Sequence, residues 1–167
     1  MYPLLISVLM LFSGCGYRPA VHYSKHIINE DVSTEIIISL TDPENTVIIK
    51  DAIDAAVITR FRANLVPKGK SNTHLIIRLM SVSLSPLAYD SNGYVISYRT
   101  MVLLSIERVK KEVRQTYRAR GTFDFAIEPN AIVSNQARFN AIKQSANKAI
   151  ESFLAQVAAQ GSQDDDQ

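Results

Sequence analysis

The fold is decided by residues 74–127, which read HLIIRLMSVSLSPLAYDSNGYVISYRTMVLLSIERVKKEVRQTYRARGTFDFAI. This stretch holds three strand candidates, at His74–Leu84, Tyr94–Val109 and Val113–Ile127. The linkers between them, Ser85–Gly93 and Lys110–Glu112, are short. Since short linkers join neighbouring strands of opposite direction, the stretch predicts an antiparallel meander.

The flanking segments predict one more strand and two helices. Upstream, Val32–Leu40 is β-branched and roughly alternating, which favours a strand. A helix starts around Thr41-Asp42-Pro43-Glu44, where an N-cap candidate precedes proline and an acid, and it ends near Leu65. The apolar stripes are Ile49, Ile53, Val57 and Phe61 on this helix and Phe139, Ile142, Ala146, Ala149, Ile150, Phe153 and Val157 on the second.

The order β-α-β-β-β-α indicates an α+β fold. Each helix has a single apolar stripe, which must be buried against the sheet. We therefore expect a two-layer sandwich, with two helices packed on one face of a four-stranded mixed sheet and the first two strands parallel. A single domain is expected over residues 32–160, followed by a disordered acidic tail at 161–167.

Composition narrows the classes of function. The chain has 167 residues, of which 47% are hydrophobic and 20% charged, enough apolar surface for one folded domain. Its net charge of +2 is too small to indicate nucleic-acid binding. The lone cysteine, Cys15, excludes an intramolecular disulfide.

We expect neither an enzyme nor a bound metal or cofactor. The sequence has no nucleophile elbow, phosphate-binding loop or glycine-rich dinucleotide loop. His22, His26 and His74 include an H-x-x-x-H spacing, but no third ligand stands at zinc-site spacing, which favours an incidental surface pair.

The N-terminus has the features of a lipoprotein signal. Tyr2–Phe12 is an uncharged apolar run, too short to span a bilayer, and Phe12-Ser13-Gly14-Cys15 after it resembles a lipobox. We expect a signal peptide at 1–14 and an acylated Cys15 with its tether at 15–31. Gly16 stands where an aspartate would signal inner-membrane retention, so the motif resembles that of an outer-membrane lipoprotein. A plain secretory signal, or a hydrophobic first strand, is the alternative.

The middle strands are apolar on both faces. Leu75, Ile77 and Leu79 alternate with Ile76, Met80 and Val82, and the next strand adds Met101 and Leu103 to the second face. Because two helices cover one face, the residues Ile76, Met80, Met101 and Leu103 predict an interface with a partner protein. A homodimer, or a few tolerated exposed aliphatic residues, is the alternative.

The last two strands are basic. Alternation places Arg114, Arg118 and Arg120 on one face, opposite Val113, Tyr117 and Phe123. Arginine and lysine pair with phosphates, so we expect Arg108, Lys110, Lys111 and Arg114, which flank the turn, to bind lipopolysaccharide. A solvated face whose charges discourage aggregation is the alternative.

Two short motifs carry a family resemblance: Gly14-Cys15-Gly16-Tyr17-Arg18, and the run Ala88–Arg99 (AYDSNGYVISYR). The chain resembles LptE, the outer-membrane lipopolysaccharide-assembly lipoprotein. The resemblance implies a lipid-anchored protein on the periplasmic side of the outer membrane. It would plug the LptD β-barrel, help that barrel assemble and contact lipopolysaccharide. An auxiliary lipoprotein of an ABC transporter, binding a lipid in the periplasm, is the alternative function.

Overall fold

A computed structural model describes residues 31–37, 43–60, 62–129 and 131–164 of the chain. The elements, in chain order, are strand β1 (Asp31–Ile37), helix α1 (Pro43–Thr59), strand β2 (Asn64–Leu65), a 3-10 turn (Lys68–Lys70), strands β3 (Thr73–Tyr89), β4 (Val95–Lys110) and β5 (Val113–Ala126), and helix α2 (Asn135–Asp164). The predicted α+β fold is confirmed.

The described sheet has five strands, in the order β2-β1-β3-β4-β5. β1 pairs in parallel with β3, whereas β3, β4 and β5 form the predicted antiparallel meander. The helical crossover from β1 to β3 therefore joins parallel neighbours, as expected.

The prediction of four strands is wrong, because the first helix is shorter than its sequence pattern indicated. α1 ends at Thr59, and Arg62 takes a left-handed backbone conformation with φ 51°. A left-handed residue cannot continue a right-handed helix, so the chain turns back there. Asn64–Leu65 then adds to β1 as the short parallel strand β2.

β3 is longer than expected and runs through Pro86. Beyond Arg78, β3 has no partner from β1 among the described residues, since β1 pairs only as far as Ile37. Proline lacks the N–H that a second neighbour would need, and it is tolerated on such an unpaired strand edge. The strand therefore continues to Tyr89, and the turn is confined to residues 90–94.

The core lies between the two helices and one face of the sheet. α1 contributes the predicted stripe Ile49, Ile53 and Val57, while Phe61 lies outside the described residues. α2 contributes the rest of the predicted stripe, although its first member, Phe139, is exposed. The fully buried residues facing these stripes include Leu75, Ile77, Val102, Leu104 and Ile106.

α2 approaches β5 very closely at Gly121. A Cβ atom at this glycine would lie 2.0 Å from the backbone oxygen of Ser145 and 2.2 Å from the backbone nitrogen of Ala149. Ser145 also donates from its hydroxyl to the carbonyl of Thr100, at 3.1 Å. Glycine is required here because no side chain fits between the helix and the strand.

Gly121→Ala should destabilise the fold by about 2–3 kcal/mol, since backbone atoms cannot yield as a side chain would. Gly69→Ala is the matched control, because no atom lies within 4 Å of the Cβ it would add. Urea denaturation of both variants measures the difference. Equal midpoints would contradict the close packing of α2 on β5.

Candidate functional site: the open face of the sheet

Neither of the two described helices lies over one face of the sheet, and β4 shows which face this is. Its even-numbered residues, Thr100, Val102, Leu104, Ile106 and Arg108, are buried against the helices. Its odd-numbered residues from Met101 to Val109 are only partly covered. We call the face that bears these odd-numbered residues and their register partners the open face.

Three of the four predicted interface residues lie on the open face. Leu103 stands beside Met101 on β4, and Ile76 is paired with Glu107. All three side chains are half-buried although neither α1 nor α2 covers them. Together they form an apolar strip across β3 and β4.

The alternation predicted for β3 fails at Met80. The register shifts between Leu79, which pairs with Leu104, and Ser81, which pairs with Leu103. Met80 is the extra residue of this β-bulge, has no register partner and is 57% exposed. Val82 consequently pairs with buried Val102 and packs on the core, so its predicted place beside Ile76 and Met80 is wrong.

Arginines border the apolar strip on its β5 side. Arg118 pairs with Ser105, Arg120 with Leu103, and Arg114 with Val109, all odd-numbered positions of β4. The three side chains are exposed, whereas Tyr117 on the other face is buried. The predicted separation of the arginines from the aromatic side of β5 is confirmed.

A carboxylate within the strip holds one of these arginines in place. Glu107, whose side chain is only 17% exposed, accepts a hydrogen bond from Arg114 at 2.7 Å, and Arg78 lies 3.9 Å away on the opposite side. The three charges cross β3, β4 and β5 in one line. The alternation of the sequence places Arg78 and Glu107 on this face. The diagonal pairing of Glu107 with Arg78 and Arg114 can be predicted only when the register of the strands is known.

Arg108 lies apart from the other predicted lipopolysaccharide-binding residues. It is an even-numbered residue of β4, so its side chain faces the helices and is only 7% exposed. Its guanidinium donates a hydrogen bond to Gln115 at 3.2 Å. Strand alternation therefore separates Arg108 from Arg114, so the two do not lie on the same face, as one shared phosphate site would need.

Lys110 and Lys111 are at the turn between β4 and β5. Lys111 has a φ of 55°, a conformation uncommon for a lysine, and its side chain is exposed. The pKa of Lys110 lies below its ordinary value, because partial burial disfavours the ammonium and because Arg108 and Lys111 repel it. The cationic groups of Arg108, Lys110 and Lys111 are therefore close enough to repel one another at this end of the hairpin.

A polar cluster that the sequence analysis missed joins β1 to β3 on the same face. His74 is within 2.8 Å of the Ser33 hydroxyl through Nδ1 and within 3.0 Å of Glu35 through Nε2. Ser33 also meets the Ser71 hydroxyl at 2.7 Å, and Lys68 donates to Glu35 at 3.2 Å. The parallel register places these residues together, and no spacing in the sequence reveals it.

The order of serine, histidine and carboxylate does not make this cluster a hydrolytic site. Ser33 is only 3% exposed and its hydroxyl is already occupied by both His74 and Ser71. A nucleophile needs space for a reacting carbonyl beside it. The cluster instead ties the turn at Lys68–Ser71 to the sheet.

The described residues carry neither a metal site nor a membrane span. No group of three or more histidine, aspartate, glutamate or cysteine residues among them could hold a metal ion. None of the described helices is long and apolar enough to cross a bilayer. His22, His26 and Cys15 lie outside the described residues.

Comparison with known families identifies the chain. The model of the family described as LptE, lipopolysaccharide-assembly, matches residues 34–157, which is more than half of the sequence. The chain belongs to the LptE family. The match begins within β1 and ends within α2, so this LptE-family region includes part of every described strand and helix and all of the elements between β1 and α2. The predicted family is thereby confirmed.

Solved structures of several bacterial lipoproteins are similar to this LptE-family chain at low sequence identity. A putative lipoprotein from Caulobacter crescentus has a TM-score of 0.53 at 6% identity, covering 86% of this chain and 98% of its own. Lipoprotein B from Nitrosomonas europaea has a TM-score of 0.49 at 19% identity, covering 80% of this chain and 84% of its own. The rare lipoprotein B from Shewanella oneidensis has a TM-score of 0.39 at 15% identity, covering 81% and 92%. A search of curated protein sequences finds no match.

Glu35→Gln should change how stability depends on pH. Lys68 and then His74 donate hydrogen bonds that hold the pKa of Glu35 below its ordinary value. Such a carboxylate stabilises the fold above its unfolded pKa of about 4.3 and loses that contribution as the pH falls through its folded pKa. The free energy of unfolding of the variant should therefore fall below that of the wild type at pH 6–7, with the gap closing toward about pH 3. Urea unfolding across this range measures it, and a gap independent of pH would contradict the assignment.

Proposed function

We propose that this protein is an outer-membrane lipoprotein that occupies the LptD β-barrel, assists its assembly and contacts lipopolysaccharide on its way to the cell surface. The observation that supports this most directly is the open face, an apolar strip bordered by arginines on a domain of the LptE family. The role needs no catalytic group. It needs a rigid surface that is complementary to the inner wall of the barrel, and positive charges that attract phosphate groups.

The chemistry of the open face suits the inside of a barrel. The interior of an outer-membrane barrel is polar, with apolar residues directed outward to lipid. The open face combines Met101 and Leu103 with serine, threonine and arginine side chains. Such a mixture favours a protein partner over acyl chains, because each polar group must keep a hydrogen-bonding partner when it is buried.

The cations at the β4–β5 end supply the contact with lipopolysaccharide. Lipopolysaccharide carries phosphate groups, and guanidinium and ammonium groups bind phosphate through charge-assisted hydrogen bonds. We retain Lys110, Lys111 and Arg114 for this role and add Arg118 and Arg120 from the same strand. Arg108 is omitted, because its side chain is buried beneath α2.

The lipid anchor places the domain at the membrane surface. We propose that the signal peptide at 1–14 is removed and that Cys15 is acylated, followed by a tether to β1. Each buried CH₂ of an acyl chain contributes about 0.8 kcal/mol, so two or more chains anchor stably. Gly16 after the cysteine favours the outer membrane, with the domain on its periplasmic side.

Met101→Asp should abolish or strongly weaken co-purification with LptD, because it buries a carboxylate in the proposed apolar contact. Ile58→Asp is the matched control, since Ile58 is exposed on α1, away from the open face. Both variants should fold, as judged by circular dichroism, because neither residue belongs to the core. Equal recovery of the barrel with the two variants would reject the open face as the interface.

The triple variant Lys110→Gln, Lys111→Gln, Arg114→Gln should bind lipopolysaccharide at least 10-fold more weakly at low salt. The difference from the wild type should shrink toward 1 M salt, where the Debye length falls to about 3 Å. Arg62→Gln, Arg138→Gln, Lys143→Gln is the charge-matched control, because these three residues are exposed and lie outside the β4–β5 hairpin. Titration of lipopolysaccharide onto both variants measures the effect, and equal loss in both would mean that only total charge matters.

A further inference from the structure

One row of the open face brings two arginines to either side of a serine. Arg78 of β3 pairs with Ser105 of β4, and Ser105 pairs with Arg118 of β5. Residues that are directly opposite each other in a sheet point to the same face, so all three side chains are on the open face. Neighbouring strands are about 4.8 Å apart, which places the two arginine Cα atoms about 10 Å apart. We call these three residues the central row.

The central row stands on a rigid part of the sheet. Each of its members is next to buried residues of its own strand: Ile77 in β3, Leu104 and Ile106 in β4, and Tyr117 and Ala119 in β5. The backbone carbonyl of Arg118 also accepts a hydrogen bond from Gln156 of α2 at 3.0 Å. The backbone positions of the row are therefore fixed by the core, while the side chains remain on the surface.

The hydrogen-bond donors of the central row are available. Within the described part of the chain, no carboxylate pairs with Arg118 and no group is hydrogen-bonded to the Ser105 hydroxyl. Arg78 has an acidic neighbour, Glu107, but the two groups are 3.9 Å apart, which is beyond hydrogen-bonding distance. The Arg78 side chain is 49% exposed and that of Arg118 is exposed as well. A solute can therefore reach all three donors.

Two other arginines of the open face already have a close carboxylate. Arg114 donates to Glu107 at 2.7 Å, and Arg99 donates two hydrogen bonds to Asp124, at 2.6 and 2.7 Å. Arg120 is different, because it has no ion pair with any described carboxylate. The positive charge that is not compensated on this face is thus concentrated in the central row and at Arg120.

The donors of the central row match a phosphate better than a carboxylate. A phosphate monoester carries a charge of about −1.5 to −2 at pH 7 and has three strong acceptor oxygens. The two guanidinium groups provide two positive charges, and together with the hydroxyl they provide a donor for each oxygen. A single carboxylate from a partner protein would leave one arginine uncompensated when the surface is buried, which is unfavourable.

The neighbouring rows orient the anion. On one side of Ser105 stands Glu107, whose negative charge repels a phosphate. On the other side stands Leu103, between its register partners Ser81 and Arg120. A phosphate over Ser105 is therefore displaced towards Arg120, and the group that the phosphate carries lies over Leu103.

We propose that Arg78, Ser105 and Arg118 form a binding site for a phosphate monoester in the middle of the open face, with Arg120 as an additional cation. The site is composed of residues from three strands, so it exists only in the folded register. That the phosphate belongs to lipopolysaccharide rests on the proposed function. A soluble sugar phosphate is the other source of the same chemistry.

Titration calorimetry of glucose 1-phosphate with the full chain in an uncharged detergent tests the site. Arg78→Gln should weaken binding about 5-fold or more at low salt, because one of the two charge-assisted contacts is lost. Arg138→Gln removes the same charge from the exposed surface of α2 and should weaken binding by less than about 2-fold, since exposed charges away from the site are screened. Equal weakening by the two variants would overturn the site, because only total charge would then matter.

Ser105→Ala tests the hydrogen bond without changing the net charge. It should weaken binding of glucose 1-phosphate about 3-fold, which is within the range for one hydrogen bond. Ser83→Ala is the matched control, because Ser83 pairs with Met101 on the same face but two rows away. Urea unfolding shows whether the variants remain folded. A folded Ser105→Ala variant that binds as tightly as Ser83→Ala would remove the serine from the site.

Binding of lipopolysaccharide distinguishes the two sources of the phosphate. Glucose 1-phosphate should displace lipopolysaccharide from the wild type, and Arg78→Gln should bind lipopolysaccharide about 5-fold more weakly, for the same reason as above. If Arg78→Gln loses glucose 1-phosphate but keeps lipopolysaccharide, the site takes a soluble phosphate monoester, and the proposed contact of the open face with lipopolysaccharide fails.

Two further results would overturn the site and leave the proposed function standing. The first is wild-type binding of glucose 1-phosphate by Arg78→Gln, while the triple variant of Lys110, Lys111 and Arg114 still loses lipopolysaccharide. The second is unchanged binding of glucose 1-phosphate by Arg78→Gln together with poorer recovery of the barrel, which would mean that the central row receives a carboxylate of the partner.

Discussion

The structure depends on one constraint. Two amphipathic helices bury a single face of the sheet, although the middle strands of the sheet are apolar on both faces. α1 and α2 pack their stripes against Leu75, Val102, Leu104 and their neighbours, and Gly121 lets the backbone of α2 contact β5. This packing is the main source of stability, because burial of apolar area dominates folding. It also leaves Met101 and Leu103 on a face that the two described helices do not cover.

The open face is shaped by details of strand pairing. The bulge at Met80 returns Val82 to the core and lets the second half of β3 keep its apolar side toward the helices. The line Arg78–Glu107–Arg114 runs across three strands and holds the edge arginine near the apolar strip. On the other side of the hairpin, Arg108 and Lys110 face α2. Positive charges therefore lie on both faces of the hairpin, and a count of charged residues along the sequence does not distinguish the two groups.

Much of the fold could be predicted from the sequence because its helices and meander follow simple periodicities. The stripe from Ile142 to Val157 and the alternation around Val102 and Leu104 repeat over many residues, and each repeat strengthens the pattern. Two features of the fold could not be predicted from these periodicities, because each depends on a single residue. The left-handed Arg62 ended α1 and made the two-residue strand β2, and the bulge at Met80 changed the phase of β3.

The site was only partly predictable, because it depends on contacts between distant residues. Alternation correctly placed Met101, Leu103 and the β5 arginines on one side. The same alternation assigns Arg108 to the buried face, which its position beside the turn does not reveal. The cluster of Ser33, Glu35 and His74 could not be found at all, since it requires the parallel register of β1 with β3.

Site-specific photocross-linking in living cells tests most directly whether the open face is the surface that contacts the proposed barrel partner, LptD. A photoreactive phenylalanine analogue is placed at Met101 or Thr116 on the open face, and at Ile58 or Lys143 on the helix side. Our account predicts products with LptD from the first pair and none from the second. Products from the helix positions, with none from Met101 and Thr116, would contradict it.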